Sequence, residues 1–265
     1  MNGAAETNTN SGADDFSLAR KHALVTGGGS GIGFAIAEAL AAAGAQVTLL
    51  GRRAEVLEDA AARIAKNSGA EARGFACDLG ELEKIDRRAA ELSEAHGAPD
   101  IVVNAAGWRT REPAADITPE VWRATIDTNL SAPFFLARAL APAMCARGWG
   151  RILNIASLQS RLAFEGGIAY GASKGGVAQL TRAMAAEWSA HGVNANALAP
   201  GFFPTALTAP LFDDENVAAA LAARTAIGRN GRLRDLAGAA LFFCAPASDY
   251  ITGQVLFVDG GFTAK

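Results

Sequence analysis

Seven short apolar runs recur along the chain at residues 22–26, 45–50, 72–76, 100–105, 150–157, 193–198 and 254–259. They are apolar throughout rather than alternating, so as strands they must be covered on both faces. Between them lie alanine-rich stretches with helical period. One is 31–43; another is 54–66, where Val56, Leu57, Ala60, Ala61 and Ile64 fall on one stripe. Repeated β–α units with no break in composition admit few arrangements. The one favoured is a single α/β domain over residues 18–265, a doubly wound parallel sheet of about seven strands with helices on both faces. Half the residues are hydrophobic and 19% are charged, enough to fill such a core.

Residues 1–17, rich in Asn, Thr, Gly and Asp, have neither the basic start nor the apolar stretch of a secretory signal and are expected to be a disordered tail. Residues 202–230, with Pro204, Pro210 and Gly228, interrupt the rhythm and are expected to form a substrate lid. No apolar run reaches membrane-spanning length. A net charge of −3 offers no basic footprint for nucleic acid. Cys77, Cys145 and Cys244 are odd in number, widely spaced and without a CxxC pair. They point to free thiols in a reducing cytoplasm, with no metal site.

Directly after the first run comes "TGGGSGIG", with glycines at 27, 28, 29, 31 and 33. A tight glycine turn opening a helix lets backbone N–H groups and the helix N-terminus meet a pyrophosphate. Gly27, Ser30, Gly31, Ile32 and Gly33 are the expected contacts. The second run ends in "LLGRR", where Gly51 stands in the place of a ribose-binding acid and Arg52 and Arg53 follow. A guanidinium binds a 2′-phosphate that a carboxylate would repel. NADP(H) is therefore the preferred cofactor, with NAD(H) possible. The competing reading makes both arginines the solvated start of the next helix.

Tyr170 and Lys174 are four residues apart within "AYGASKGG" and share one helix face. Reducing a ketone requires a proton donor beside the hydride donor, and a nearby ammonium should lower the phenol's pKa toward the working range. The small residues around the pair are expected to leave room for a ribose and a nicotinamide. Ser157, at the end of the fifth run, sits where a doubly wound sheet binds ligands and can hold a substrate oxygen as charge develops. Asn129 precedes Pro133 by four residues, so its carbonyl loses its ordinary helical partner. That carbonyl could hold a water that relays protons from Lys174.

These stretches, with "CDL" (77–79), "NAAG" (104–107), "APG" (199–201) and "TGQVLFVDGG" (252–261), resemble the short-chain dehydrogenase/reductase family in order over residues 22–261. The resemblance implies a seven-stranded Rossmann fold, a nicotinamide dinucleotide, a homotetramer, and Asn129, Ser157, Tyr170 and Lys174 as the catalytic set. It assigns Asp78 and Leu79 to the adenine, Asn104, Ala105 and Gly107 to the adenosine half, and Pro200, Gly201 and Thr205 to the nicotinamide amide, with Tyr170 and Lys174 touching the cofactor too. One departure is Asn194, where the family often carries a basic residue.

Arg109, Arg111 and Arg161 fall in segments that should border the substrate. The pattern Gly107-x-x-x-Arg111-x-Pro113 and the "SLQS" after Ala156 are similar to the gluconate 5-dehydrogenase-like branch. The expected substrate contacts are Arg111, Ser157, Arg161 and Tyr170, unless the arginines are simply solvated. The reaction expected is interconversion of a secondary alcohol and a ketone on a sugar acid, polyol or keto-sugar. The alternatives are a 3-oxoacyl thioester (acyl-carrier-protein) reductase and, in another class, a non-catalytic dinucleotide-binding sensor or scaffold.

Overall fold

In the computed structural model, which describes residues 14–265, the seven runs form one parallel sheet. The strands are β1 (His22–Thr26), β2 (Gln46–Gly51), β3 (Ala72–Ala76), β4 (Ile101–Asn104), β5 (Gly150–Ile155), β6 (Val193–Pro200) and β7 (Val255–Val258), in the order β3-β2-β1-β4-β5-β6-β7. Every residue of β1, β4, β5 and β6 is buried, as strands covered on both faces require, including the polar Asn104, Arg151, Asn154, Asn194 and Asn196, whereas the edge strands β3 and β7 are partly exposed.

The helical stripes decide which face each helix covers. On one side, α1 (Gly31–Ala42) and α2 (Ala54–Ser68) press Ile36, Leu40, Leu57 and Ile64 onto the sheet. Val56 of the predicted stripe is only partly buried. On the other side, α3 (Ile85–His96) contributes Ile85 and Leu92. After α4 (Pro119–Ile126), α5 (Ala132–Arg147) contributes Leu136 and Leu140, and α6 (Ile168–Trp188) contributes Met184. Each such side chain contributes roughly 1.5–3 kcal/mol when fully buried. The chain finishes through α7 (Ala209–Phe212), α8 (Glu215–Ala223) and α9 (Ala237–Cys244), the last packed beside α1.

The strand order reverses between β1 and β4, so their crossovers diverge and leave a crevice at the carboxyl ends. The register puts Thr26, Asn104 and Asn154 in one row there. At the tail, Asp14–Phe16 forms a short 3-10 turn and Leu18 is fully buried; residues 1–13 of the predicted tail lie outside the described residues. The segment 202–230 carries α7 and α8. Asn194 is buried and donates to the Ser248 and Asp249 carbonyls. A charge does lie beside it in register: Arg151 of β5, ion-paired with Asp249. All three cysteines are free. Among the described residues no helix is long and apolar enough to cross a membrane.

Candidate active site

The glycine turn is fixed by backbone contacts that leave no space for side chains. Gly27 has φ +65° and donates its N–H to the Leu50 carbonyl at 2.7 Å. A Cβ on Gly33 would stand 2.4 Å from the Gly27 carbonyl oxygen, so only glycine lets α1 start this close to the turn. The Thr26 hydroxyl accepts hydrogen bonds from the Ala105 and Ala106 amides at 3.0 and 2.9 Å, tying the turn after β1 to the loop after β4.

Two cavities meet along Gly27, Ser30, Ala106 and Gly107. The larger, about 700 Å³, is walled by Arg52, Arg53, Asp78 and Leu79. Arg52 and Arg53 are exposed there, and neither forms an ion pair among the described residues. Asp78 Oδ1 accepts from the Gly80 N–H at 2.9 Å. The smaller cavity, about 270 Å³, holds Ser157, Tyr170, Lys174, Pro200, Gly201 and Thr205, with Gly31, Ile32, Gly33 and Ala105 at the turn. A pair of cavities joined across a glycine-rich turn and a helix N-terminus fits a dinucleotide with its pyrophosphate at the join. Asn104 lies outside both: it is buried, and its Nδ2 donates to Asn154 Oδ1 at 2.8 Å, bracing β4 against β5.

At the reacting end, Ser157 follows β5. Its Oγ accepts from the Gln159 amide at 3.2 Å, and Ser160 Oγ donates to the Lys174 carbonyl at 2.6 Å, locking this turn to α6. Lys174 is buried, its Nζ donates to the Ile155 carbonyl at 2.6 Å, and desolvation lowers its pKa to about 8. The Tyr170 phenol does not follow the sequence expectation. Burial pushes its pKa up; the Ser157 hydroxyl and the Arg109 guanidinium act in the other direction, not Lys174. The ammonium lies 5.7 Å from the ring centre, directed to a backbone oxygen instead.

Asn129 lies in a π-type turn, Asp127–Ser131, between α4 and α5. This absorbs the N–H missing at Pro133, with the Ala132 amide donating to the Asp127 carbonyl. The side chain does the visible work. Oδ1 accepts from the Trp108 amide at 2.8 Å, while Nδ2 donates to the Trp108 carbonyl at 2.8 Å and to Ser173 Oγ at 3.0 Å. Ser173 in turn donates to the Tyr170 carbonyl at 2.7 Å. Asn129 thus joins the loop after β4 to the helix that carries Tyr170.

Of the glycines that follow Tyr170, Gly171 and Gly176 serve packing, whereas a Cβ on Gly175 would meet nothing within 4 Å. A Cβ on Gly176 would meet Leu130 at 2.7 Å and one on Gly171 would meet Gln159 at 3.2 Å, and neither glycine lines the clefts. Arg109 and Arg111 both line the smaller cleft, but Arg161 is exposed outside it. Gln159, Phe164 and Phe202 also line it and were not singled out from the sequence. "SLQS" signalled Gln159; nothing local signals the phenylalanines, which meet edge to face at 6.2 Å from separate loops.

A dinucleotide crevice with a tyrosine, a serine and a lysine at its reacting end defines an oxidoreductase that works on CH–OH groups. A family profile described as Enoyl-(Acyl carrier protein) reductase matches residues 27–263. A gluconate 5-dehydrogenase of Gluconobacter oxydans is 42% identical over 257 residues, 95% of this chain and 98% of its own. A 2-dehydro-3-deoxy-D-gluconate 5-dehydrogenase of Bacillus subtilis is 42% identical over 255 residues, covering 95% and 98%. A crystal structure of a gluconate 5-dehydrogenase from Burkholderia cenocepacia, in complex with NADP and tartrate, superposes with a TM-score of 0.91 at 41% identity, covering 96% of this chain and 99% of that one. The chain belongs to the short-chain dehydrogenase/reductase family.

Proposed function

We propose that this protein is an NADP(H)-linked dehydrogenase that interconverts a secondary alcohol of a polyhydroxy acid and the corresponding ketone. The observation that carries the reading is the pairing of Arg109 and Arg111 in the wall of the cleft that holds Tyr170 and Ser157. A carboxylate on the substrate answers that charge bidentately and sets the distance from the acid group to the reacting carbon. The gluconate-type relatives support the same substrate class.

Bound nicotinamide would supply or accept hydride. Gly27, Ser30, Gly31, Ile32 and Gly33 would receive the pyrophosphate, Arg52 and Arg53 the 2′-phosphate, Asp78 and Leu79 the adenine, and Pro200, Gly201 and Thr205 the nicotinamide amide. In ketone reduction the Tyr170 hydroxyl donates a proton to the substrate oxygen, which Ser157 holds by a second hydrogen bond as charge develops. Lys174, anchored to the Ile155 carbonyl, would touch the cofactor beside Tyr170, and Asn129 holds the arginine loop against α6. Residues 202–230 act as the lid, since Thr205 and Thr208 already line the cleft.

The thioester-reductase reading has the profile's description in its favour, but a carrier protein wants free basic residues at the entrance. Of the dispersed Arg224, Arg229, Arg232 and Arg234, Arg229 is ion-paired with Asp235 and Arg224 stacks on Phe262 at 4.4 Å, which leaves only Arg232 and Arg234 exposed without an ion pair among the described residues. Three free thiols agree with a reducing cytoplasm. Exposed Trp122 and Phe134 on neighbouring helices, and exposed Leu256 on the edge strand β7, agree with a homo-oligomer. The test is a panel of keto-gluconates, neutral keto-sugars and acetoacetyl thioesters with NADPH and NADH. Preference for the keto acids with NADPH is expected; preference for the thioesters would overturn the reading.

A further inference from the structure

Arg109 bears on the reacting phenol itself, not only on the substrate. Its guanidinium carbon lies 5.4 Å from the centre of the Tyr170 ring, within cation–aromatic range. Lys174 is at 5.7 Å from the same centre, but its ammonium is engaged by the Ile155 carbonyl. Arg109 Nε is buried without a hydrogen-bond partner. Among the described residues neither Arg109 nor Arg111 forms an ion pair. Burial and the like charge of Arg111 both hold the Arg109 pKa below its ordinary value, yet a guanidinium keeps its charge at any working pH.

The groups that face Tyr170 can be taken element by element. From α6 comes Lys174, and from the loop after β4 comes Arg109, with Arg111 behind it. From the turn after β5 comes the neutral Ser157, and the neutral Gln159 and Thr205 line the same cleft. Among the described residues no carboxylate lines this cleft; Glu112, on the same loop, has a buried Oε2 but forms no ion pair with Arg109.

We propose that Arg109 is an electrostatic positioning residue for proton transfer: its fixed charge over the Tyr170 ring stabilises the phenolate, a task the sequence motif assigns to the lysine alone. In alcohol oxidation the substrate hydroxyl gives its proton to the phenolate as hydride leaves the same carbon for the nicotinamide; in reduction both return. The inference rests on Tyr170 as the proton carrier and is independent of whether the substrate is an acid. A carboxylate held by Arg109 would cancel part of its charge, so a neutral substrate reads the effect most clearly.

The experiment compares wild type, R109Q and R109K in alcohol oxidation at saturating NADP⁺ across pH, with a neutral polyol and with a polyhydroxy acid. Removing the cation disfavours the phenolate, so R109Q should move the midpoint of the rising kcat limb up by about one pH unit with both substrates. R109K keeps a cation and should keep the midpoint near that of wild type, whatever it does to KM for the acid. A shift confined to the acid, or a change in KM alone, would overturn the inference and leave Arg109 as a carboxylate ligand. If the acid is not turned over, the sugar-acid reading fails and the polyol arm still decides this one. If neither is turned over, Y250F leaves Tyr170 as the sole phenol, because the chain has two tyrosines and Tyr250 is fully exposed. Its ultraviolet phenolate titration with NADP⁺ bound should then rise in R109Q, and an unchanged titration would overturn the proposal.

Discussion

The Lys174 ammonium donates to the Ile155 carbonyl, 2.6 Å away, so the lysine of the Tyr170–Lys174 pair is anchored to the end of β5. Its pKa falls from the ordinary 10.5 to about 8 because burial disfavours the charged form. Between those values the unfolded chain holds more protons than the folded one, so folding stability rises with pH across that window. Lys174→Met removes this slope. Urea unfolding at neutral pH and at two points inside the window should show wild type gaining on the variant as pH rises, and a constant difference would contradict it.

The glycine turn should tolerate no side chain. Gly33→Ala places a methyl 2.4 Å from the Gly27 carbonyl oxygen and should cost about 1–3 kcal/mol together with most of the NADPH affinity. Gly175→Ala is the contrast. It lies inside α6, its Cβ would meet nothing within 4 Å, and it should leave stability equal or raise it by about 0.5–1 kcal/mol. Denaturant midpoints and nucleotide titration read both.

Asn129→Ala leaves the Trp108 amide and carbonyl without their side-chain partner. We expect a loss of about 1–3 kcal/mol in stability and a lower kcat, since the loop that carries Arg109 and Arg111 is released from α6. NADPH affinity should change much less. Steady-state kinetics beside nucleotide titration separates the two.

Much of this was legible in the sequence because it depends on local pattern. Predominantly apolar runs demanded a covered parallel sheet, and the glycine spacing after β1 demanded a turn with close backbone contacts. The less legible part depends on what distant segments bring together. The spacing of Tyr170 and Lys174 is right, but only the fold shows that the Ile155 carbonyl draws the ammonium away and that Arg109 arrives from the loop after β4. Asn104 sits at the expected strand end yet faces Asn154, since strand register rather than the motif sets its partner. Arg161 and Arg111 looked alike as loop arginines; only Arg111 reaches the cleft. Phe164 and Phe202 had no signal, because each acquires meaning only from the other.

Arg52 and Arg53 line the larger cavity beside Asp78, free of ion pairs among the described residues. Arg52→Ala should therefore weaken NADPH by about tenfold or more, the loss of one charge-assisted contact, and leave NADH nearly unchanged. Fluorescence titration with both nucleotides checks it, and equal losses for the two would remove the 2′-phosphate assignment.

The most direct test of the account is Tyr170→Phe, which deletes one hydroxyl from the cleft and keeps the ring that Arg109 and Lys174 face. Single-turnover nicotinamide absorbance should show hydride transfer slowed by at least about a hundredfold, with the NADPH dissociation constant within a factor of about two of wild type. Transfer at the wild-type rate would contradict the assignment of Tyr170 as the proton carrier.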